Sequence, residues 1–117
     1  MFDLQAERHG TAAILRLKGD VLLGDAVEFN RQMQAHMSSP QIMQTVLDLS
    51  TAGKMDKSGL GVLVSLSTRY QSRGRRLVLL SPAPHVAQLL KEAEIEGFFP
   101  TFDSEEELKG TLPSVAE

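Results

Sequence analysis

From residue 2 to residue 108 the spacing of apolar residues switches back and forth between a period of two and a period of three to four, and few folds accommodate that order. Residues 11–18 alternate: Ala13, Leu15 and Leu17 share one side while Ile14, Arg16 and Lys18 share the other, the pattern of a half-buried strand. Phe2, Leu4 and Ala6 alternate more weakly before it, and Arg8-His9-Gly10 is a turn signal, so the two runs predict a hairpin. From Asp25 the period lengthens. Ala26, Phe29, Met33 and Met37, with Val27 and Gln34, fit a helix, and Asp25 is placed to cap it by accepting an unpaired amide of the first turn. Ser38-Ser39-Pro40 ends that helix.

The same alternation then repeats. Residues 45–49 are a short β-branched and leucine-rich strand, and residues 50–56 are a loop by composition. Leu60, Leu63, Val64 and Tyr70, widened by Val62 and Leu66, recur at helical spacing and predict a largely buried helix over residues 58–73, stopped by Gly74. Residues 76–80 read as a strand, Ser81-Pro82-Ala83-Pro84 as a helix entry, and Val86, Leu89, Leu90 and Ala93 as a third helical face. Residues 98–102 form a last short extended piece, and residues 103–108 start a helix with acids in its first turn. A hairpin followed by three strand–helix alternations predicts an α/β domain whose sheet is mixed and mostly parallel, with about four helices and right-handed crossovers. One domain over residues 2–110 accounts for the pattern, and residues 111–117, which have none, are expected to fray.

Composition narrows function as well as fold. The 117 residues include no cysteine, which removes a disulfide framework, Cys-ligated zinc, an iron–sulfur cluster and a thiol nucleophile. Twelve Lys and Arg against fifteen Asp and Glu leave a net charge of −3, whereas a general nucleic-acid binder presents a basic excess. No apolar run serves as a signal peptide or reaches the roughly 20 residues of a membrane span, so a cytoplasmic protein with no direct membrane insertion is expected. His9, His36 and His85 have no ligand spacing, and no metal is expected. Gly53-Lys54 lacks the second glycine and the following hydroxyl residue of a phosphate-binding loop, so no nucleotide cofactor is expected either. Glu92, Glu94, Glu96 and the acids at 105–107 read as solvated helix surface.

One segment resists a purely structural account. Residues 46–62 place a strand, a polar loop and then Asp56-Lys57-Ser58-Gly59 at the start of the long buried helix. Unpaired amides and the helix dipole stabilise anionic groups at such a point. A hydroxyl there is a good place for a phosphorylation switch, because phosphate adds a charge of about −1.5 to −2 at the helix end and at any partner docked on it. The alternative is that Asp56 or Ser58 caps the helix and the glycines permit close packing. An enzyme in which Lys57 activates Ser58 beside Asp56 is a third reading, but neither an oxyanion donor nor a substrate pocket is legible. The chain is therefore expected not to be an enzyme.

These residues resemble the signature of the STAS domain, found in sulfate transporters and anti-sigma factor antagonists. Leu47-Asp48-Leu49 and Met55-Asp56-Lys57-Ser58-Gly59-Leu60-Gly61 match the strand end and helix start of the bacterial antagonists. Leu17-Lys18-Gly19-Asp20-Val21 is similar to the family's Leu-x-Gly-Glu-Leu strand end, and Arg75-Arg76-Leu77-Val78-Leu79 with Ser81-Pro82 to its late strand and helix entry. The resemblance spans about residues 4–108 and implies a non-enzymatic module that acts by partner switching. An unmodified antagonist binds an anti-sigma factor, a serine kinase of the histidine-kinase-like ATPase type, and phosphorylation ends that binding until a phosphatase restores it. The family places its acceptor serine where this chain has Lys57, so the resemblance leaves Ser58 as the first phosphorylation candidate and Ser50 or Thr51 as the next. The partner surface it implies comprises Asp20, Leu22, Met55, Asp56, Lys57, Ser58 and Gly59. A second expectation is a cytoplasmic STAS accessory subunit that regulates a membrane transporter in trans.

Overall fold

The expected hairpin forms: β1 (Phe2–His9) and β2 (Ala12–Val21) pair antiparallel, from Phe2 opposite Gly19 to His9 opposite Ala12. A 3₁₀ turn (Leu23–Asp25) leads into α1 (Ala26–Met37). The chain continues through β3 (Gln44–Asp48), β4 (Ala52–Met55), α2 (Lys57–Gln71), β5 (Arg76–Leu80), α3 (Pro84–Glu92), β6 (Thr101–Phe102) and α4 (Glu105–Lys109). This computed structural model describes residues 1–109, and the tail expected to fray, residues 111–117, lies outside them. The strands form one sheet in the order β1-β2-β3-β5-β6, and β4 also pairs with β2. All pairings but β1–β2 are parallel, so the sheet is mixed and mostly parallel with an N-terminal hairpin, and four helices accompany it.

Four readings of the sequence need correction. Residues 50–56 are not all loop, because β4 lies within them and pairs with the upper part of β2, Gly19 opposite Ala52 and Val21 opposite Met55. β3 pairs with the lower part of the same strand, Ala12 to Arg16, so β3 and β4 run along one edge of β2 with a turn between them. β2 is not half-buried either. Leu15 and Leu17 enter the main core, while Ile14 joins Val46, Val78, Leu80 and Leu108 in a second cluster on the other face. Asp25 stands at the N-cap of α1 but makes no capping bond there; its carboxylate accepts from the Leu22 amide and the Met1 amino group instead. Val27, placed by spacing on the apolar face of α1, is 84% exposed.

The main core carries α2 into position. Leu60, Leu63 and Leu66 are buried against Leu15, Leu17, Leu47 and Leu49 of the sheet, with Phe29 and Met33 of α1 completing the cluster; Val64, expected in the core, is only partly buried. Truncating a fully buried leucine of this kind to alanine costs about 2–5 kcal/mol. At the far edge β6 stays short for a definite reason. The Leu79 amide donates to the Pro100 carbonyl (2.9 Å) and the Ser81 amide to the Phe102 carbonyl (2.7 Å). A parallel ladder extended below them needs an amide proton from position 100, and proline has none. Among the described residues the lower half of β5 therefore has no strand beside it on that side.

Candidate functional site

Asp56 organises the start of α2. Its backbone is extended, and one carboxylate oxygen, Oδ1, accepts from the Ser58 amide (3.0 Å), the Gly59 amide (3.3 Å) and the Ser58 hydroxyl. This is the N-cap geometry that an Asp before a buried helical stripe favours. The other oxygen, Oδ2, reaches across to the Leu23 amide (3.0 Å), tying the helix start to the 3₁₀ turn. Bonds from the Ser58 hydroxyl first, and then from the Gly59, Ser58 and Leu23 amides, hold the Asp56 carboxyl below the usual carboxylate range.

Two glycines make the approach of these elements possible. A Cβ on Gly53 would lie 2.2 Å from Asp20 Oδ1 and 2.8 Å from the Gly19 carbonyl carbon, so only glycine lets β4 close on β2 there. Asp20 Oδ1 in turn accepts from the Lys54 amide (2.7 Å). A Cβ on Gly59 would stand 3.0 Å from both Met55 Cγ and Val21 Cγ1, which lets the first turn of α2 sit tightly on the end of β2. The β4 segment is also held by side chains, since Thr51 Oγ1 donates to the Leu17 carbonyl of β2 (2.9 Å) and His85 Nε2 of α3 to the Gly53 carbonyl.

The structure brings the residues singled out by sequence to one end of the sheet, in different states. Lys57 is exposed at the first position of α2. Ser58 is half-buried with its hydroxyl engaged by Asp56. Met55 and Gly59 pack together against Val21, and Asp20 is occupied by the Lys54 amide. Leu22 is 37% exposed, with its amide bound to Asp25 Oδ2. Sequence reasoning missed the two most prominent apolar groups nearby, Leu23 (76% exposed) and Val27 (84% exposed). The available signal was Leu22-Leu23 standing in a Gly-Asp turn, where neither side chain belongs to a strand or helix stripe. Beside them Val27, Asn30, Ser58, Gly61, Val62 and Arg69 line an open groove of about 410 Å³ between α1 and α2. The arrangement offers a fixed helix start, an exposed lysine and an exposed apolar patch, which suits docking of another protein better than chemistry on a small molecule.

Comparison with known proteins bears on this end of the molecule. A family model described as the STAS domain matches residues 3–108. The chain is 26% identical over 102 residues to the anti-sigma F factor antagonist of Paenibacillus polymyxa, which covers 87% of each protein. Its fold is similar to that of an anti-sigma factor antagonist from Mycobacterium paratuberculosis, with a TM-score of 0.83, 13% identity, and 96% of this chain and 94% of the other covered. It is also similar to the Bacillus cell fate determinant SpoIIAA in its phosphorylated form, with a TM-score of 0.71, 15% identity, and 93% and 99% covered.

Proposed function

The chain belongs to the STAS domain family, and from that premise we propose that it is a non-catalytic anti-sigma factor antagonist that binds its anti-sigma factor at the start of α2. The observation that carries this reading is the exposed apolar patch of Leu22, Leu23 and Val27 beside the Asp56-capped helix start. Contiguous exposed apolar surface on a small domain marks an interaction site. Similarity to an anti-sigma F factor antagonist supports the kind of partner. That partner is an anti-sigma factor and serine kinase of the histidine-kinase-like ATPase type, met in the cytoplasm. Among the described residues no helix is long and apolar enough to cross a membrane. The surface comprises Asp20, Leu22, Met55, Asp56, Lys57, Ser58 and Gly59, to which Leu23 and Val27 are added.

The phosphoserine switch of the resembling family is absent at position 57, because lysine offers no hydroxyl. Ser58 is the remaining candidate, but its hydroxyl already donates to Asp56. A phosphate on it would break that bond and set a dianion against the Asp56 carboxylate. The protein therefore stays in its binding-competent form, and a phosphatase has no work to do on it at this site.

Purification of the native protein followed by mass spectrometry of what it retains tests the reading. An ATPase-type kinase is expected, and Leu23→Asp should lose it at unchanged thermal stability; recovery of a membrane transporter in its place would favour a transporter-regulating subunit. With that kinase and ATP, intact mass should show no phosphate on the native chain and one on Lys57→Ser. Stoichiometric phosphorylation of native Ser58 would overturn the locked state.

A further inference from the structure

The opposite end of α2 carries a second surface that the antagonist reading does not use. α2 has 15 residues, so its C-terminal end lies about 21 Å from Asp56. Arg69, Arg73, Arg75 and Arg76 fall within eight residues there, in a chain whose net charge is −3. None of the four forms an ion pair with a described carboxylate, whereas Arg16 and Arg31 both do. Arg73 and Arg75 instead flank the ring of Tyr70, their guanidinium carbons 5.4 and 6.0 Å from its centroid. Arg75 Nη1 is further fixed by the Met37 and Ser39 carbonyls (2.8 and 3.2 Å). Arg73 and Arg75 are thus positioned by aromatic and backbone contacts, and no described carboxylate neutralises any of the four.

Beside them is a groove of about 250 Å³, lined by Gln71, Arg75, Arg76, Leu77, Phe98 and Pro100. It opens where the sheet ladder stops at Pro100, and Phe98 stands 41% exposed at its rim, edge-on to the buried Phe99 ring. Arg75 and Arg76, an exposed aromatic ring and a stretch of β5 with no strand among the described residues beside it converge on one place. We infer that this groove binds an extended acidic segment of a partner protein, its carboxylates meeting Arg76 in the lining and Arg73, which shares the Tyr70 ring with the lining residue Arg75, and an apolar side chain resting on Phe98. Arginine suits this role because its planar fork pairs with carboxylates in bidentate fashion. Nucleic acid is the poorer fit, because the chain as a whole is acidic and the groove has an apolar wall.

Fluorescence anisotropy of the whole chain with a short labelled peptide of alternating glutamate and leucine tests the inference. Binding that weakens as salt rises is expected, with no binding of the same peptide carrying lysine for glutamate. The double variant Arg73→Gln/Arg76→Gln should weaken it about tenfold or more with an unchanged melting temperature, Phe98→Ser should weaken it severalfold, and Lys57→Glu should leave it as it was. Equal binding by the arginine variant, an equal loss in Lys57→Glu, or no binding of the peptide by the native chain would overturn the inference. So would tighter binding of single-stranded RNA or phosphatidylserine vesicles than of the peptide, or self-association in sedimentation that the arginine variant abolishes.

Discussion

On one face of the sheet Leu15, Leu17, Leu47, Leu49, Leu77 and Leu79 belong to a core that Phe29, Met33, Leu63 and Leu66 complete with no exposed surface. On the other face Ile14, Val46, Val78 and Leu80 meet Leu108 from the five-residue α4, with Phe102 partly buried beside them. The second face also carries a set of ion pairs beside its packing. Arg16 reaches Asp48 (2.8 Å), Glu105 (2.7 Å) and Glu7 (3.2 Å), the bond to Glu105 being the main reason its guanidinium is held above its ordinary range. A large apolar core tolerates no gaps but needs no particular pH. A small one laced with ion pairs depends on solution conditions.

The largest effect should come from the first face. Leu63→Ala leaves a cavity in a region that has no surface to collapse from, and should cost about 3–5 kcal/mol, read from the shift in the urea midpoint. Leu108→Ala should cost less, about 2 kcal/mol, because α4 is one short turn that can settle into the space. It should also raise amide exchange at residues 105–109 while α2 stays protected. An equal cost for the two would mean that the second cluster is as integral to folding as the first.

Acid should separate the faces further. The bond from His9 first, and then from Arg16, holds the Glu7 carboxyl below the usual glutamate range. A carboxyl that binds its proton more weakly in the folded chain stabilises that chain above its unfolded pKa, and the contribution is lost as pH falls through the lowered value. The urea midpoint should therefore fall as pH drops below about 4.5, and Arg16→Met should flatten the upper part of that fall. The Asp56 contribution should vanish lower, as pH falls below the usual aspartate range, in both proteins. A pH profile unchanged by Arg16→Met would show that the ion pairs on the second face are too solvated to matter.

The smallest effect on stability belongs to the proposed docking patch. Leu23→Ser and Val27→Ser should change folding free energy by no more than about 0.5 kcal/mol, since both side chains are already in water, yet weaken partner binding. Loss of stability in either would place that side chain in the core economy and remove it from the interface.

How much of this was legible beforehand follows from where each specification resides. β2, β3 and β5 carry their periods in their own residues, and the stripe from Leu60 to Tyr70 identifies α2 unaided. β4 does not, because Ala-Gly-Lys-Met has no strand pattern; what makes it a strand is the room above Gly53 and the Asp20 carboxylate waiting for the Lys54 amide. Asp56 as a cap was readable from Asp-x-Ser-Gly, whereas its second bond to Leu23, 33 residues away, was not. Val27 fitted the helical stripe of α1 by spacing, and only the position of α2 decides that it faces out. Ile14 misled in the opposite way, since a residue that alternates with Arg16 and Lys18 reads as solvent-facing until α4 folds back across it.

The two short bonds that flank the 3₁₀ turn have a kinetic consequence. The Leu22 amide is held by Asp25 Oδ2 (3.1 Å) and the Leu23 amide by Asp56 Oδ2 (3.0 Å), so the segment bearing the exposed leucines is anchored at successive residues by carboxylates from two different elements. An arriving protein meets this surface already formed and has no loop to order before contact. Association should then proceed at the ordinary rate for two preformed patches, roughly 10⁵–10⁷ M⁻¹s⁻¹, and variants of the patch should differ in how long the complex lasts far more than in how fast it forms. Asp56→Ala frees one anchor and also removes a side chain of the proposed surface, so the expected signature is a slower encounter together with a shorter-lived complex.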